Sequence, residues 1–524
     1  MKQTVFTFSL AIALGILVLL PAAISSCNNQ PQNNTDSSLT GLSDNSKKGA
    51  ALAKQYCQSC HLLPHPSLLD KNSWATGVLP AMGPHLGIFV YDTMRYPSQK
   101  NDPALDKNYY PSQPLIGFAE WQQILDYYTE AAPDKLPAQP PHDSIVLDLP
   151  GFKVATPAVN APAPGIAYVK INNQKLYSFD IITSKLVQYN SQLQSINAVN
   201  TRSTIVDINM TADKWVGCNI GMLNPSNGKF GDLRFLNWNN TKTQLTEDTF
   251  SLTTKLARPV QIAAADFNKD GKEDYAVCEF GYLTGALSWL EAKGDKQFEH
   301  HVIKAVPGAI KIIADDYNKD GHTDLWVLFA QADEGISLFT NQGNGKFAEE
   351  RVLRVPSVYG STNFEFADFN KDGFKDIVLA CGDNADYSII LKPYHGVYVY
   401  LNNGKNQFTQ QYFYPINGCY KALPNDYDND GDIDIATIAF FADYETQPQE
   451  GFVYLENKGN WKFTPRTVEA AKKGRWLTMD AGDIDGDNKI DIVLGNFSIR
   501  PSSTPPKYDW QKGPAVLLLK NISK

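Results

Sequence analysis

Asp266-Phe-Asn-Lys-Asp-Gly-Lys-Glu-Asp274 is the stretch that decides the fold of most of this chain of 524 residues. Oxygen-bearing side chains stand at its positions 1, 3, 5 and 9, and Gly271 stands at position 6. Ca²⁺ takes about six to eight oxygen ligands, most of which a short loop of alternating carboxylates can supply. The glycine permits the turn that brings position 9 back toward position 1. The pattern predicts a calcium-binding loop with Asp266, Asn268, Asp270 and Asp274 as ligands.

Four more copies of this loop follow at the same internal spacing. Their predicted ligands are Asp316, Asn318, Asp320 and Asp324; Asp368, Asn370, Asp372 and Asp376; Asp426, Asp428, Asp430 and Asp434; and Asp483, Asp485, Asp487 and Asp491. In the last copy the glycine comes early, at Gly486, and Asn488 takes position 6. A single loop of this kind also makes an ordinary turn. Five at one spacing predict about five bound Ca²⁺ ions, each joining two neighbouring strands in a structural role.

The loops belong to a longer repeat whose copies begin at residues 266, 316, 368, 426 and 483, with a degenerate copy at Asp207. Each unit has an alternating strand before the loop, an apolar strand after it, and a third strand that runs into a Gly/Asn hairpin turn. Four strands in a unit of about 40–60 residues are typical of a propeller blade. An earlier unit starting near Ile166 has strands but no loop. The count predicts an all-β propeller of seven blades over residues 166–522.

These repeats resemble the FG-GAP/VCBS repeat family, whose blades also form the head of integrin α-subunits. The resemblance covers residues 200–522, and Cys278-Glu-Phe-Gly281 matches the phenylalanine–glycine motif. It implies that the Asp-rich loop joins the first two strands of a blade and binds Ca²⁺. The last unit ends at its third strand, so a missing outer strand would leave an exposed edge. We expect Ser144–Leu149 or Phe152–Val154 to supply that strand.

The first residues indicate export. Residues 1–26 carry Lys2 and then an apolar run ending in small residues, which is typical of a secretory signal. Ile24-Ser-Ser-Cys27 resembles the bacterial lipoprotein box, which implies lipidation of Cys27. Residues 27–46 are polar and predict a flexible tether. The expected product is a membrane-anchored lipoprotein, on the periplasmic side or at the cell surface.

Cys57-Gln-Ser-Cys60-His61 is the attachment motif for one covalent haem c. Its two thiols add to the haem vinyl groups, and the histidine ligates the iron. Residues 47–133 resemble a small all-α class I cytochrome c, closed by an amphipathic helix over 119–130 with Trp121, Ile124, Leu125 and Tyr128 on one face.

The sixth iron ligand is predicted to be Met82, which follows a proline in Leu79-Pro-Ala-Met82. Met94 and His85 remain alternatives. A methionine ligand raises the reduction potential and suits electron transfer. Residues 134–165 are rich in proline and predict a linker that includes the closing strand.

The net charge indicates the class of partner, and the cysteine spacing indicates the state of the thiols. The net charge of −9 argues against a nucleic-acid partner, and five Ca²⁺ ions would cancel it. Because their spacing forms no disulfide framework, four further cysteines are expected to be buried thiols: Cys218, Cys278, Cys381 and Cys419.

Two functions fit these features. The first is an anchored electron carrier that passes electrons to or from a redox partner protein, with the membrane reached through the lipid. Its propeller would be a docking platform for a protein or polysaccharide ligand. The second is a periplasmic or surface dehydrogenase with a catalytic propeller and the haem as electron outlet. The sequence contains no Gly-rich phosphate loop, serine nucleophile elbow or zinc motif, and this favours the carrier.

Overall fold

The structure of the chain is a computed structural model that describes residues 39–523, apart from 160–161, 212–213, 240–243, 295, 386 and 500–508. The predicted signal segment, the lipidation residue Cys27 and the first part of the tether lie outside the described residues. No helix in the described part is both long enough and apolar enough to cross a membrane.

A small, mainly helical unit comes first. Its elements are α1 (Asp44–Tyr56), α2 (Leu79–Met82), β1 (Val90–Tyr91), β2 (Met94–Arg95) and α3 (Phe118–Ala131). Single turns of 3₁₀-helix lie at Pro66–Leu68 and Gly83–Leu86, and a π-helical turn lies at Ser73–Val78. The short β1–β2 pair means that the unit is not strictly all-α.

Helices α1 and α3 pack on each other because their apolar faces match. The predicted face of α3 is buried at Trp121, Ile124 and Tyr128, together with Tyr127. Ser43 caps α1, and its hydroxyl also donates to Glu130 near the end of α3, at 2.7 Å. This cap makes α1 begin at Asp44, so the predicted tether boundary at residue 46 lies inside the helix.

The rest of the chain forms seven four-stranded antiparallel sheets, as the repeat predicted. After β3 (Phe152–Ala155), blade 1 holds β4 (Ile166–Asn172), β5 (Lys175–Asp180), β6 (Lys185–Tyr189) and β7 (Ser195–Asn200); blade 2 holds β8 (Ile205–Met210), β9 (Trp215–Asn219), β10 (Gly231–Trp238) and β11 (Leu245–Leu256); blade 3 holds β12 (Pro259–Ala265), β13 (Asp274–Glu279), β14 (Ala286–Gly294) and β15 (Gln297–Lys304).

The remaining blades repeat this order. Blade 4 holds β16 (Ala309–Asp315), β17 (Asp324–Phe329), β18 (Gly335–Asn341) and β19 (Phe347–Arg354); blade 5 holds β20 (Ser361–Ala367), β21 (Asp376–Cys381), β22 (Gly396–Asn402) and β23 (Phe408–Pro415); blade 6 holds β24 (Cys419–Asn425), β25 (Asp434–Ala439), β26 (Phe452–Asn457) and β27 (Phe463–Arg466); blade 7 holds β28 (Trp476–Gly482), β29 (Asp491–Asn496) and β30 (Val516–Asn521). Single 3₁₀ turns lie at Pro448–Gly451, Glu469–Lys473 and Trp510–Lys512.

Burial follows the position of a strand in its blade. The second strands of blades 3 to 7 are apolar and buried along their whole length, because neighbouring blades cover both of their faces. The outermost strands of blades 3 to 5 are partly exposed. Cys218, Cys278, Cys381 and Cys419 lie in this interior as buried free thiols.

Blade 7 is completed by a strand from before blade 1. Strand β3 pairs antiparallel with β30, with Phe152 opposite Asn521 and Ala155 opposite Leu518. Of the two segments expected from the sequence, Phe152–Val154 therefore fills the gap. The other segment runs beside blade 6, where Val146 makes an isolated parallel bridge with Arg466.

The degenerate repeat copy at Asp207 was aligned wrongly. Asp207 lies within β8, the innermost strand of blade 2, and does not begin a loop. The matching connection of that blade spans only residues 211–214 between β8 and β9. Asp207 lies opposite Cys218 on β9, as Gln261 lies opposite Cys278 on β13 in blade 3. Asp207 therefore matches a residue in the middle of the innermost strand and not the first residue of a loop.

Candidate haem and metal sites

The Cys57-x-x-Cys60-His61 motif follows directly on α1. The backbone N–H of Cys57 donates to the carbonyl of Ala53 at 2.8 Å, and that of Cys60 donates to the carbonyl of Cys57 at 3.3 Å. These bonds turn the chain so that Cys57 packs against the helical core while Cys60 is exposed. Both are free thiols. Burial, with a smaller effect from Cys60, raises the pKa of Cys57 to about 11.

His61 is oriented through one ring nitrogen. Its Nδ1 lies 2.8 Å from the carbonyl oxygen of Leu62, which assigns the N–H to Nδ1. The other nitrogen, Nε2, is then the basic one. A histidine that ligates a metal commonly donates its second N–H to a carbonyl in this way. His61 therefore has the tautomer that an iron ligand requires.

Met82 lies at the end of a continuous helical segment that starts at residue 71 and includes the π-turn Ser73–Val78. Pro80 lacks the N–H that a regular helix needs and would clash with the preceding turn, so the widened turn accommodates it. Met82 packs against the same apolar cluster as Cys57. It thus ends α2, and the 3₁₀ turn Gly83–Leu86 follows it directly.

The two alternatives to Met82 differ in their surroundings. Met94 lies on β2 and is 51% exposed. His85 is half-buried between Tyr109 and Tyr110, with ring centroids 5.8 and 5.4 Å away. Burial, with a smaller effect from His61, lowers the pKa of His85.

These residues fit a covalently held haem. Two free thiols with two residues between them, a histidine with a basic Nε2, and a half-buried thioether and imidazole on one segment are the donor set that the group requires. The partly buried apolar side chains around them, including Leu63, Val78 and Leu86, would exclude water from it. Which of Met82 and His85 reaches the iron stays a prediction.

The five Asp-rich loops share one backbone conformation. Position 4 has a positive φ in each, at Lys269, Lys319, Lys371, Asn429 and Gly486, and so does position 6, at Gly271, Gly321, Gly373, Gly431 and Asn488. The N–H of position 6 donates to the first carboxylate at 2.8–3.0 Å in every loop. Both positions need a left-handed backbone, a conformation that asparagine also tolerates. The last loop therefore has its glycine at position 4 and an asparagine at position 6.

The last aspartate of each loop is buried and holds the blade together. One oxygen of Asp274 accepts from the N–H of Ala292 on the third strand at 2.8 Å, and the other accepts from Phe267 within the loop at 3.1 Å. The bond to the third strand recurs in all five loops at 2.7–2.9 Å. Burial raises the pKa of all five carboxyls, to about 7 at Asp434 and about 6 at Asp491.

The loops differ in how closely their carboxylates gather. In blades 6 and 7, three carboxylates lie within 4.8 Å of one another: Asp426, Asp428 and Asp434, and Asp483, Asp485 and Asp491. The loops of blades 3 to 5 have asparagine at position 3, and among the described residues their aspartates form no such group of three. In blade 3, Asp270 also pairs with Lys272 at 2.7 Å. The oxygen sets of blades 6 and 7 are thus the best suited to Ca²⁺.

The haem motif and the Asp-rich loops are on opposite faces of the propeller. The loops join first to second strands, whereas the helical unit contacts the connections at the other strand ends. There Tyr394 Oη donates to the carbonyl of Leu68 at 2.8 Å, and Val358 and Ile390 pack against the helical core. Burial raises the pKa of Tyr109 to about 12, with smaller effects from Tyr110, Cys60 and Tyr282 of blade 3.

A ring of polar side chains lines the centre of the propeller, and the repeat pattern did not predict it. One residue per blade takes part, on the innermost strand: Lys170, Asp207, Gln261, Lys311, Glu365, Lys421 and Asp480. Lys170 pairs with Asp480 at 3.1 Å, and Lys311 pairs with Glu365 at 2.8 Å. The ring contains three lysines and three carboxylates. It therefore lines the centre of the propeller with no net charge.

A recurring asparagine was also missed. It is the last residue of the third strand in blades 4 to 7, at Asn341, Asn402, Asn457 and Asn521. Each side-chain amide donates to the residue before the last loop aspartate, and two also reach the preceding blade: Asn341 to Phe267 at 2.9 Å and Asn521 to Tyr427 at 2.7 Å. Its repetition at the end of the second strand after four of the five loops was the available sequence signal.

Comparison with known proteins identifies FG-GAP-like repeats in residues 282–379 and 426–494. No curated protein sequence matches the chain. Solved structures that align with it include the N-terminal domain of Nup159 (10% identity, 73% of this chain and 97% of that chain, TM-score 0.42) and Sqt1 of Saccharomyces cerevisiae (9% identity, 70% and 98%, TM-score 0.43). The Dos1 propeller is a third (9% identity, 68% and 78%, TM-score 0.40). The chain therefore carries FG-GAP-like repeats in a seven-bladed propeller, which confirms that part of the sequence prediction.

Proposed function

We propose that this protein is an exported, lipid-anchored c-type cytochrome that transfers electrons, with its propeller as the platform on which a partner docks. One observation carries the proposal. Cys57, Cys60 and His61, whose tautomer leaves Nε2 basic, follow α1 directly, and Cys57 packs against the same apolar cluster as Met82. The arrangement has the donors, and the apolar surroundings, of a haem c pocket.

Each residue has a separate task in this pocket. Cys57 and Cys60 would form the thioether bonds, and His61 would ligate the iron through Nε2. Met82, fixed on the helical segment by the turn that Pro80 imposes, would supply the sixth ligand. When bound, the haem supplies reversible one-electron chemistry at its iron. If His61 and Met82 both ligated the iron, the site would favour electron transfer over reaction with a small molecule.

The propeller is suited to docking because it is rigid and its centre is filled. The ring of three lysines and three acids occupies the channel, and the last loop aspartates tie the strands of blades 3 to 7 together. Calcium in the Asp-rich loops would stabilise this scaffold by binding only the folded form. The partner would be a redox protein, with a protein or polysaccharide ligand on the propeller.

The decisive experiment is to express the full chain in bacteria with the cytochrome c maturation system and to stain a denaturing gel for haem. We expect haem that stays attached to the protein after denaturation. Replacing Cys57 and Cys60 with alanine should abolish the staining. Cys218→Ala, which removes a buried thiol of the propeller, is the matched control and should keep it.

Reduction assays on the same protein separate the two functions considered from the sequence. A carrier is reduced by a small electron donor such as ascorbate but not by sugars or alcohols. Haem reduction by a sugar or alcohol, at a rate that saturates with its concentration and needs the propeller, would contradict the proposal and support a dehydrogenase. Absence of covalent haem in the matured wild-type protein would refute both.

A further inference from the structure

The outer hairpin of blade 3 carries two carboxylates and an imidazole that belong neither to the haem motif nor to the predicted ligands of an Asp-rich loop. On this hairpin Glu291 of β14 lies opposite Glu299 of β15, and Trp289 lies opposite His301. One ligand atom from each of Glu291, Glu299 and His301 lies within 4.8 Å of the other two. The side chains of His301 and Glu299 are 36% and 56% exposed, so an ion can reach the group from solvent.

The distances within this group are close to those around a zinc ion. His301 Nε2 lies 2.8 Å from Oε2 of Glu291 and 3.9 Å from Oε2 of Glu299. The ligand atoms of a tetrahedral Zn²⁺ ion, each about 2.0–2.2 Å from the metal, are about 3–4 Å apart. Trp289 stacks on the ring of His301, with centroids 4.8 Å apart, and the amide of Asn268 donates to Oε1 of Glu291 at 3.0 Å. Contacts of this kind orient metal ligands.

A cation already lies between the two carboxylates. Nζ of Lys293 is 2.7 Å from Oε2 of Glu291 and 3.1 Å from Oε2 of Glu299. The Lys293 side chain is 45% exposed, and ion pairs at such exposure are weak. The ammonium can therefore turn into water and leave both carboxylates to a metal ion.

Blade 6 has a comparable group in which the charges are paired. The register of the two hairpins places Glu456 and Arg466 where blade 3 has its first glutamate and its histidine. Glu456 accepts from Lys458 and from Arg466, each at 2.7 Å. Thr464, which lies opposite Glu456, is uncharged. This group is a closed ion-pair network that needs no metal.

Blade 3 departs from this pattern at two positions, and both changes favour a metal ion. His301 stands where blade 6 has arginine, and Glu299 stands where blade 6 has threonine. A guanidinium group offers no lone pair to a metal, whereas a neutral imidazole is a common metal ligand. The changes also leave two carboxylates beside the single permanent cation of Lys293. A divalent ion would supply the missing positive charge.

We propose that Glu291, Glu299 and His301 bind a Zn²⁺ ion that links β14 to β15, with water as the fourth ligand. Ca²⁺ prefers a set of oxygen ligands, whereas imidazole suits transition metals, so this site is chemically distinct from the Asp-rich loops. The site needs neither an attached haem nor a docked partner, and the proposal is therefore independent of the proposed function.

The test is isothermal titration calorimetry of Zn²⁺ into the full chain, with the Asp-rich loops saturated by Ca²⁺. The parent protein carries Cys57→Ala and Cys60→Ala, because these thiols would otherwise compete for Zn²⁺ when no haem is attached. We expect one Zn²⁺ ion to bind per chain. His301→Arg, which introduces the residue of blade 6, should abolish this binding. Loss of even an outer contact costs about 10–100-fold in metal affinity, so Glu299→Thr, which removes a ligand, should weaken binding at least about tenfold.

Lys293→Met should act in the opposite direction. It removes the competing ammonium, so Zn²⁺ should bind about tenfold more tightly. His300→Gln is the matched control. His300 is the neighbouring residue on β15, points to the other face of the sheet and contacts Glu279 at 2.9 Å, so its replacement should leave Zn²⁺ binding unchanged.

Melting temperatures measured without Zn²⁺ establish that each variant is folded. Zn²⁺ should raise the melting temperature of the parent protein but not that of His301→Arg, because it would stabilise only a fold that binds it. Absence of Zn²⁺ binding to the parent protein, or an affinity that His301→Arg leaves unchanged, would overturn the proposal.

Discussion

At the scale of single residues, mutation can identify the sixth ligand of the proposed haem iron. Met82→Ala should abolish the absorption band near the red end of the spectrum that reports a bond between methionine sulfur and ferric haem iron. Met94→Ala should keep that band, because Met94 is 51% exposed on the β1–β2 hairpin. Spectra of the oxidised variants are the measurement. A band that is lost with Met94→Ala, or that wild type never shows, would rule Met82 out and direct attention to His85.

His142 makes a separate prediction about pH. Its hydrogen bond to Glu450 raises its pKa above the usual 6.5. Because the folded pKa is raised, the stabilisation is fully present below pH 6.5 and is lost as the pH rises through the folded value. The melting temperature of the wild type should therefore exceed that of His142→Gln at about pH 6 and approach it at about pH 9. An equal difference at both pH values would contradict the assignment.

At the scale of the elements, the Asp-rich loops combine metal binding with blade assembly. Chelation of Ca²⁺ should lower the melting temperature, since each occupied site contributes about 2.7 kcal/mol when free Ca²⁺ is a hundredfold above its Kd. Elemental analysis should find about five Ca²⁺ ions per chain at saturation, with those of blades 6 and 7 lost last. Two or fewer ions at saturation would show that the loops of blades 3 to 5 are turns only.

Two aspartates of one loop separate these roles. Asp434→Ala should destabilise the metal-free protein by about 3 kcal/mol, roughly 1 kcal/mol for each bond lost to Asn457, Tyr427 and Tyr454. Asp430→Ala, at an exposed position of the same loop, should leave the metal-free protein unchanged and reduce only the calcium-dependent increment. Denaturant unfolding with and without chelator measures both. Equal effects of the two variants in chelator would refute a separate structural role for Asp434.

The Asp-rich loops could be predicted from the sequence, whereas the contacts between residues far apart in the chain could not. Spacing within nine residues predicts the loops because glycine and aspartate act on their own backbone. The central ring is different, since Lys170 and Asp480 are far apart in the chain and their pairing depends on ring closure. The same reason explains the error at Asp207, whose acid belongs to that ring.

At the scale of the whole molecule, the helical unit is a docked domain. It packs on the propeller through Ile390, Val358 and the bond from Tyr394 to Leu68. A flexible tether before residue 44 would therefore not move the helical unit by itself, because these contacts fix it to the propeller. Any reach would therefore belong to both domains together.

Ring closure by β3 gives the prediction at this scale. The ring of Phe152 packs between Tyr427 and Tyr454, with centroids 6.4 and 5.7 Å away. Phe152→Ala should destabilise the protein by about 3 kcal/mol, the low end for loss of a phenylalanine ring, because the residue is only half-buried. Val159→Ala, at a position of the same linker that is 85% exposed, should have no measurable effect. A melting temperature unchanged by Phe152→Ala would mean that β3 does not hold the propeller closed.

The pairing of β3 with β30 also sets an order of events in the life of the chain. A polypeptide leaves the ribosome and crosses a membrane with its N-terminal end first, so Phe152–Ala155 emerges long before its partner Val516–Asn521. Strands β3 and β30 can pair only after the last blade has been synthesised. The helical unit, whose contacts are mostly internal, is free to fold during that wait. If the unit holds a haem as proposed, attachment of the haem would then precede completion of the propeller on which the unit finally packs.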